Sequence, residues 1–202
     1  MKVTVIKKQS NRAGRYSVFI NNEYAFSLSD TALLQSGLVA GQELSEQKVK
    51  ALKKTSIEDK LYNSTLQYMA LRLRSKWEIE TYLKRKKASP ALINAILNKL
   101  SNSNLINDTA FAKAYINDRR LLRPTSRRKM ISELRNKHVP TNIIDETVSQ
   151  NPESESQAID SIINRKRQIS KYKDDLKLMQ YLARQGFNYG DIKNAMKDLD
   201  QE

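Results

Sequence analysis

Three pairs of adjacent carboxylates, Glu58-Asp59, Asp145-Glu146 and Asp174-Asp175, are the residues whose types suit acid–base or metal chemistry. Neighbours on a helix point about 100° apart, so such a pair does not form a metal cage by itself. The single histidine, His138, cannot build a multi-histidine site. It also stands where a helix is expected to end, in the place taken by Lys87 and Gly186 in two comparable stretches. A position that accepts His, Lys and Gly has the character of a helix C-cap rather than of a general base. With no cysteine in 202 residues, disulfides, thiol catalysis and thiolate zinc sites are excluded. Neither GxGxxG nor GxxxxGK[ST] occurs. The sequence therefore predicts no enzyme, no metal site and no cofactor.

The chemistry that is abundant is cationic. Lys and Arg number 36 against 22 Asp and Glu, a formal net charge of +14, and an extended polyanion is the first partner this suggests. Residues 1–56 and 57–106 each hold nine basic against four acidic residues, 107–148 nine against five, and 149–202 nine against nine. The positive field thus belongs to the first three quarters. Its groups are Arg72, Arg74 and Lys76; Lys84, Arg85, Lys86 and Lys87; Arg119, Arg120, Arg123, Arg127, Arg128 and Lys129; and Arg165, Lys166 and Arg167. Arg119 and Arg123, four apart, are expected to share a helix face, and Pro124 to open the next helix, leaving Arg127 and Arg128 in its first turns. The preference for Arg in the third group suits fork-like contact with phosphates or carboxylates. Tyr68, Trp77 and Tyr82 have helical spacing and are assigned to packing rather than to base stacking. No motif for sequence-specific base readout is present.

The elements that must position these groups change style along the chain. Val3, Val5, the run RYSVFI and the alternating EYAFSL predict a small β meander, with turns at Asn11 to Gly14 and at Asn21-Asn22. Ser29 or Asp30 caps a short helix that Gly37 ends, and Ser45 starts another running to about Lys54. After Thr55 the spacing becomes helical, with a helix expected over Ile57–Leu73. Ser75 with Glu78 has capping-box spacing, and Ser89-Pro90 is a cap followed by a first-turn proline.

A phrase recurs in this part. Shifts of 51 and then 48 residues align Leu83, Leu134 and Leu182; Ala88, Val139 and Phe187; Ile93, Ile144 and Ile192; and Leu97, Val148 and Met196. All twelve are apolar and are expected to form the repeat cores. The fold class read from this is mainly α: an elongated, curved array of three tandem three-helix repeats behind an N-terminal β meander with short helices. The expected boundaries are 1–56, 57–106, 107–150 and 151–202, with NPESES at 151–156 as a linker. No heptad seam is visible, so a monomer is expected. No apolar run reaches membrane-spanning length and the N-terminal apolar stretch is too short for a secretory signal, which predicts a cytoplasmic protein without membrane contact.

Several phrases carry a resemblance to the RecX family of recombinase regulators. NDTAFAKAYINDR at 107–119 resembles the family signature through Asp108, Phe111, Ala112, Tyr115 and Arg119. RSKWEIETYLKRK at 74–86, ISELRNKHV at 131–139 and YLARQGF at 181–187 are similar to its other patterns. The resemblance covers about residues 57–200, and the N-terminal meander is similar to the longer form of some bacterial members. Lys87 and His138 depart from it, standing where the family usually has glycine, and Arg123-Pro124-Thr125 replaces a glycine-containing turn. The resemblance implies a non-enzymatic regulator that lies along the groove of the RecA–DNA filament and inhibits ATP hydrolysis, strand exchange and filament assembly. DNA is then met directly or through the filament. The alternative is a stand-alone DNA- or RNA-binding protein acting through its basic helical surface.

Overall fold

The structure, a computed structural model, describes residues 1–150 and 155–199. Residues 151–154, most of the expected linker, lie outside the described residues. Two compact units are present: Met1–Arg72 with Glu80–Leu100, and Leu73–Ile79 with the chain from Ser101 onward.

In the first unit, β1 (Val3–Lys8), β2 (Arg15–Ile20) and β3 (Glu23–Ser29) form an antiparallel sheet in that order. Asn21 and Asn22 both have positive φ, the turn geometry whose twist matches a two-residue hairpin. Val18, Ile20, Phe26 and Leu28 turn one face inward with Val3. Helix α1 (Asp30–Ser36) is capped by the Ser29 hydroxyl and closed by Gly37 at φ 62°. Helix α2 (Glu46–Ala70) follows, and its Val49 and Leu52 complete the sheet's core.

Here the structure corrects the expectation of two helices parted near Thr55, since α2 is continuous for 25 residues. No glycine or proline interrupts it, and the hydroxyl residues read as a break are accommodated. Thr55 donates to the carbonyl of Ala51 at 3.2 Å and Ser56 to that of Ser27 at 2.6 Å. The expected boundary at 56/57 falls inside this helix.

Helix α3 (Lys76–Arg85) and helix α4 (Pro90–Asn102) come next. Tyr68 of α2 stacks on Tyr82 of α3 with ring centroids 4.4 Å apart, and Tyr82 donates its hydroxyl to the Ser64 carbonyl. Helix α4 buries Ile93, Ile96, Leu97 and Leu100.

The second unit holds α5 (Asp108–Leu122), α6 (Arg127–Asn136), α7 (Thr141–Ser149), α8 (Glu155–Arg167), a 3-10 turn at Ser170–Tyr172, α9 (Asp175–Arg184) and α10 (Tyr189–Leu199). Phe111, Ala112, Ile116, Met130, Leu134, Val139, Ile144 and Val148 make one core. A second gathers Ile159, Ile162, Ile163, Leu178, Leu182, Phe187, Ile192, Ala195 and Met196. With so few side chains in each, truncating one of the buried Leu, Ile, Met or Phe residues to alanine removes about 2–5 kcal/mol. Of the twelve aligned apolar positions eleven are buried, and Ala88 is half-buried.

The ends of α3, α6 and α9 share one geometry. Lys87, His138 and Gly186 have φ of 60°, 52° and 89°. In each copy the residue after them donates to the carbonyl five back: Ala88 to Leu83, Val139 to Leu134 and Phe187 to Leu182. The left-handed residue itself donates three back, to Lys84, Arg135 and Ala183. This pair of bonds closes a Schellman end, which satisfies the last carbonyls and redirects the chain.

Candidate partner-binding surface

Two of the three carboxylate pairs have structural work. Asp59 accepts from the Arg15 guanidinium at 3.0 Å, with both side chains 8% exposed. It also takes the Ser29 N–H at 2.9 Å and the Asn63 amide at 2.8 Å. Arg15 spends its other donors on the Ser27 hydroxyl and carbonyl, so the buried pair is well supplied with hydrogen bonds. Asp174 caps α9 through the Lys177 N–H, and the Lys177 side chain and that bond hold its carboxyl below the ordinary range. Asp145 and Glu146 are exposed. Among the described residues no three His, Cys, Asp or Glu gather as a metal site would require.

The basic residues divide between the units. Arg72, Lys84 and Arg85 lie exposed in the first, Lys84 paired with Glu80 on the same helix at 2.5 Å. An exposed pair of this kind contributes less than about 1 kcal/mol. In the second unit Arg74 is half-buried and Lys76 exposed, its backbone N–H bonded to Asp108 at 2.8 Å. Arg119, Arg120, Arg123, Arg127 and Arg128 flank the turn from α5 to α6.

That turn departs from the expectation in two respects. Helix α5 ends at Leu122, and Arg123 leaves the helical conformation at φ −146° and ψ 70°, so Arg119 and Arg123 do not share a helix face. Pro124 does not open α6, because Ser126 is the cap, its hydroxyl accepting from the Lys129 N–H. Pro124, Thr125 and Ser126 are buried instead, their polar groups turned onto Gln185. Arg127 and Arg128 do stand in the first turn of α6, exposed.

Arg119 is held inside the fold. Its Nε lies 2.9 Å from Glu133 Oε2, and Nε and Nη2 donate to the Tyr115 hydroxyl at 3.2 and 2.8 Å. Tyr115 donates in turn to Glu133 at 2.9 Å. Partial burial raises the Tyr115 hydroxyl above its ordinary range, with Arg119 opposing and Glu133 adding to the shift. Burial works against the Arg119 charge, but the bonds to Tyr115 and the attraction of Glu133 outweigh it, so the guanidinium is raised. The triad braces α5 against α6 and positions the arginines beyond it. Tyr115 and Arg119, four apart on one helix, were a readable signal; Glu133 on a different helix was not.

Two joints within the second unit went unread in the sequence. Ser75 donates its hydroxyl to the Lys137 carbonyl at 3.0 Å, Lys137 reaches Glu78 at 2.7 Å, and Trp77 stacks on His138 at 4.7 Å. At the equivalent place one repeat on, Thr125 and Ser126 donate to the Gln185 carbonyl at 3.1 and 3.2 Å, and Lys129 reaches Arg184 and Gln185. Beside the second joint, Arg127, Arg128 and Arg135 line an open groove of 970 Å³ with Phe187 and the exposed Tyr189; Glu155 and Asp191 are its acids.

These features describe a modular helical protein with a small antiparallel sheet, linked repeats and exposed cationic residues. Models of known families agree in detail: the "Regulatory protein RecX N-terminal domain" matches residues 1–45, the first RecX three-helix domain 62–100 and the second 107–148. Regulatory protein RecX of Bacillus subtilis is 25% identical across 99% of this chain and 78% of its own length. That of Lactobacillus johnsonii is 29% identical across 99% and 75%. A crystal structure of regulatory protein RecX superposes with a TM-score of 0.70 at 25% identity, covering 97% of this chain and 98% of that one. The chain belongs to the RecX family of regulatory proteins. Among the described residues no helix is long and apolar enough to cross a membrane.

Proposed function

We propose that this chain regulates the RecA recombinase by binding the RecA–DNA filament and restraining ATP hydrolysis, strand exchange and filament assembly, without being an enzyme. Family membership supports the regulatory part of the reading. The observation that carries the binding part is the turn from α5 to α6. There Arg123, Arg127 and Arg128 are exposed, and among the described residues their guanidinium groups have no internal partner, while Arg119 is spent on Tyr115 and Glu133. Cations held ready on a braced turn suit a partner surface lined with carboxylate or phosphate, and they steer encounter as well as hold it. Several such modules engaging one filament gain from effective concentration, so weak individual contacts suffice.

The test is RecA ATPase on single-stranded DNA across a range of molar ratios, with strand exchange in parallel. Hydrolysis is expected to fall at low ratios. Unchanged hydrolysis and exchange would reject the reading. Arg123→Glu/Arg127→Glu/Arg128→Glu, helical by circular dichroism, should bind filament about tenfold more weakly, from roughly 0.5 kcal/mol for each partly screened contact.

A further inference from the structure

The first unit contains a groove of 1310 Å³ that is lined by none of Arg72, Arg74, Arg85, Arg119, Arg120, Arg123, Arg127 and Arg128. Four parts of the unit supply most of its lining: the turn between β1 and β2, one face of α2, the turn between α3 and α4, and the first turns of α4. Arg12 comes from the first, Lys54 and Lys60 from the second, Lys86 and Lys87 from the third. All five are exposed, and among the described residues Arg12, Lys54, Lys60 and Lys87 make no side-chain hydrogen bond or ion pair; Lys86 lies over the Tyr82 ring. Arg15 also lines the groove but is bound to Asp59, so it is fixed in place and already neutralised. Among the described residues Glu58 is the one lining carboxylate. Unpaired like charges gathered in a concavity repel one another and concentrate field there, which favours a counter-charged occupant.

The lining also selects the kind of occupant. Ile57, Leu61, Leu92 and Ala95 add aliphatic lining, and among the described residues no aromatic ring lines the groove, so bases have nothing to stack on. Lysines spread around the groove, Arg12, and the neutral amides of Asn11 and Gln67 are the donor types that contact phosphate and sugar without reading sequence. Lysine acts as a point charge and does not need the fixed fork that a single carboxylate would reward.

We propose that this groove is a phosphodiester-binding site that holds a single nucleic-acid strand by its backbone, independent of base sequence. It goes beyond the proposed function, because it places nucleic acid on the N-terminal unit and operates without the recombinase.

The experiment uses the full chain alone with a fluorescent oligothymidylate, reading anisotropy over a salt series. Lys54→Glu/Lys60→Glu/Lys86→Glu is compared with Lys113→Glu/Lys193→Glu/Lys197→Glu, an equal charge change on exposed positions of the second unit. The groove variant is expected to bind at least about tenfold more weakly, with the salt slope reduced by about two for three lost phosphate contacts. The control should stay within about threefold of the parent chain, and oligoadenylate should bind like oligothymidylate. Equal losses in both variants would assign the binding to net charge and overturn the site. Tighter binding of oligoglutamate than of the oligonucleotide at the same salt would overturn it in favour of an acidic peptide. If the glutamates lower helicity, the triple glutamine variant is read by the same slope. Since RecA is absent, failure here leaves the ATPase test untouched, and failure there leaves this one untouched.

Discussion

The two joints of the second unit share a backbone plan and differ in what fills it. At the first, the left-handed residue is His138, whose ring lies on Trp77, and a cation from Lys137 reaches the nearly buried Glu78. At the second it is Gly186, where an added Cβ would come within 2.5 Å of the Ser126 hydroxyl and 3.2 Å of Lys129 Cβ. There the positions of Glu78 and Lys137 are taken by Lys129 and Gln185, so a charged pair becomes a cation bonded to an amide and a carbonyl. A left-handed helix end thus does not demand glycine by its φ alone. Glycine is needed where the neighbouring cap comes close, and a larger residue serves where the neighbour is a ring with room for it.

Substitution at each joint tests that difference. Gly186→Ala should be the most damaging, at about 2–4 kcal/mol, because the left-handed strain adds to a clash with the group that caps α6. Urea unfolding followed by circular dichroism measures it, and a loss under about 0.5 kcal/mol would mean that the second joint is as roomy as the first. Next comes Lys137→Met at about 1–2 kcal/mol, since it removes a cation held 2.7 Å from the Glu78 carboxylate, whose side chain is 7% exposed. Lys129→Met should cost less than about 1 kcal/mol, because its partners are neutral. Equal costs would erase the electrostatic contrast. The smallest effect is expected for His138→Gly, within about 1 kcal/mol, as relief of the left-handed strain offsets the lost ring contact. A double-mutant cycle with Trp77→Leu should return a coupling of about 0.5–1 kcal/mol, and no coupling would leave the stack without energetic weight.

Local signals in the chain are legible where they are completed by near neighbours. Ser29, Ser45, Ser75, Ser89 and Ser126 accept from a backbone N–H three residues ahead, and all but Ser126 could be placed from spacing alone. Ser126 was missed because Pro124 imitates a helix start two residues early. Thr55 and Ser56 read as a break, yet one hydroxyl bonds within the helix and the other to the distant Ser27, which no window around them contains. The basic groups were visible as clusters, but their employment was not. Arg119 is neutralised by Glu133 from another helix, and Arg12, Lys54 and Lys86 are brought to one groove from stretches about forty and thirty residues apart. The joints were invisible for the same reason, since they depend on which helix ends meet.

The unbroken α2 has a mechanical consequence. Its first turns are seated in the sheet through Val49 and Leu52, its middle is bolted to β2 and β3 by Asp59, and its last turns carry Tyr68 against Tyr82. At 1.5 Å per residue, its 25 residues make a rod about 37 Å long. A rod has no hinge at which twist can dissipate, so a load taken up by the hairpin end is delivered to the aromatic stack at the far end, as torque travels down a drive shaft.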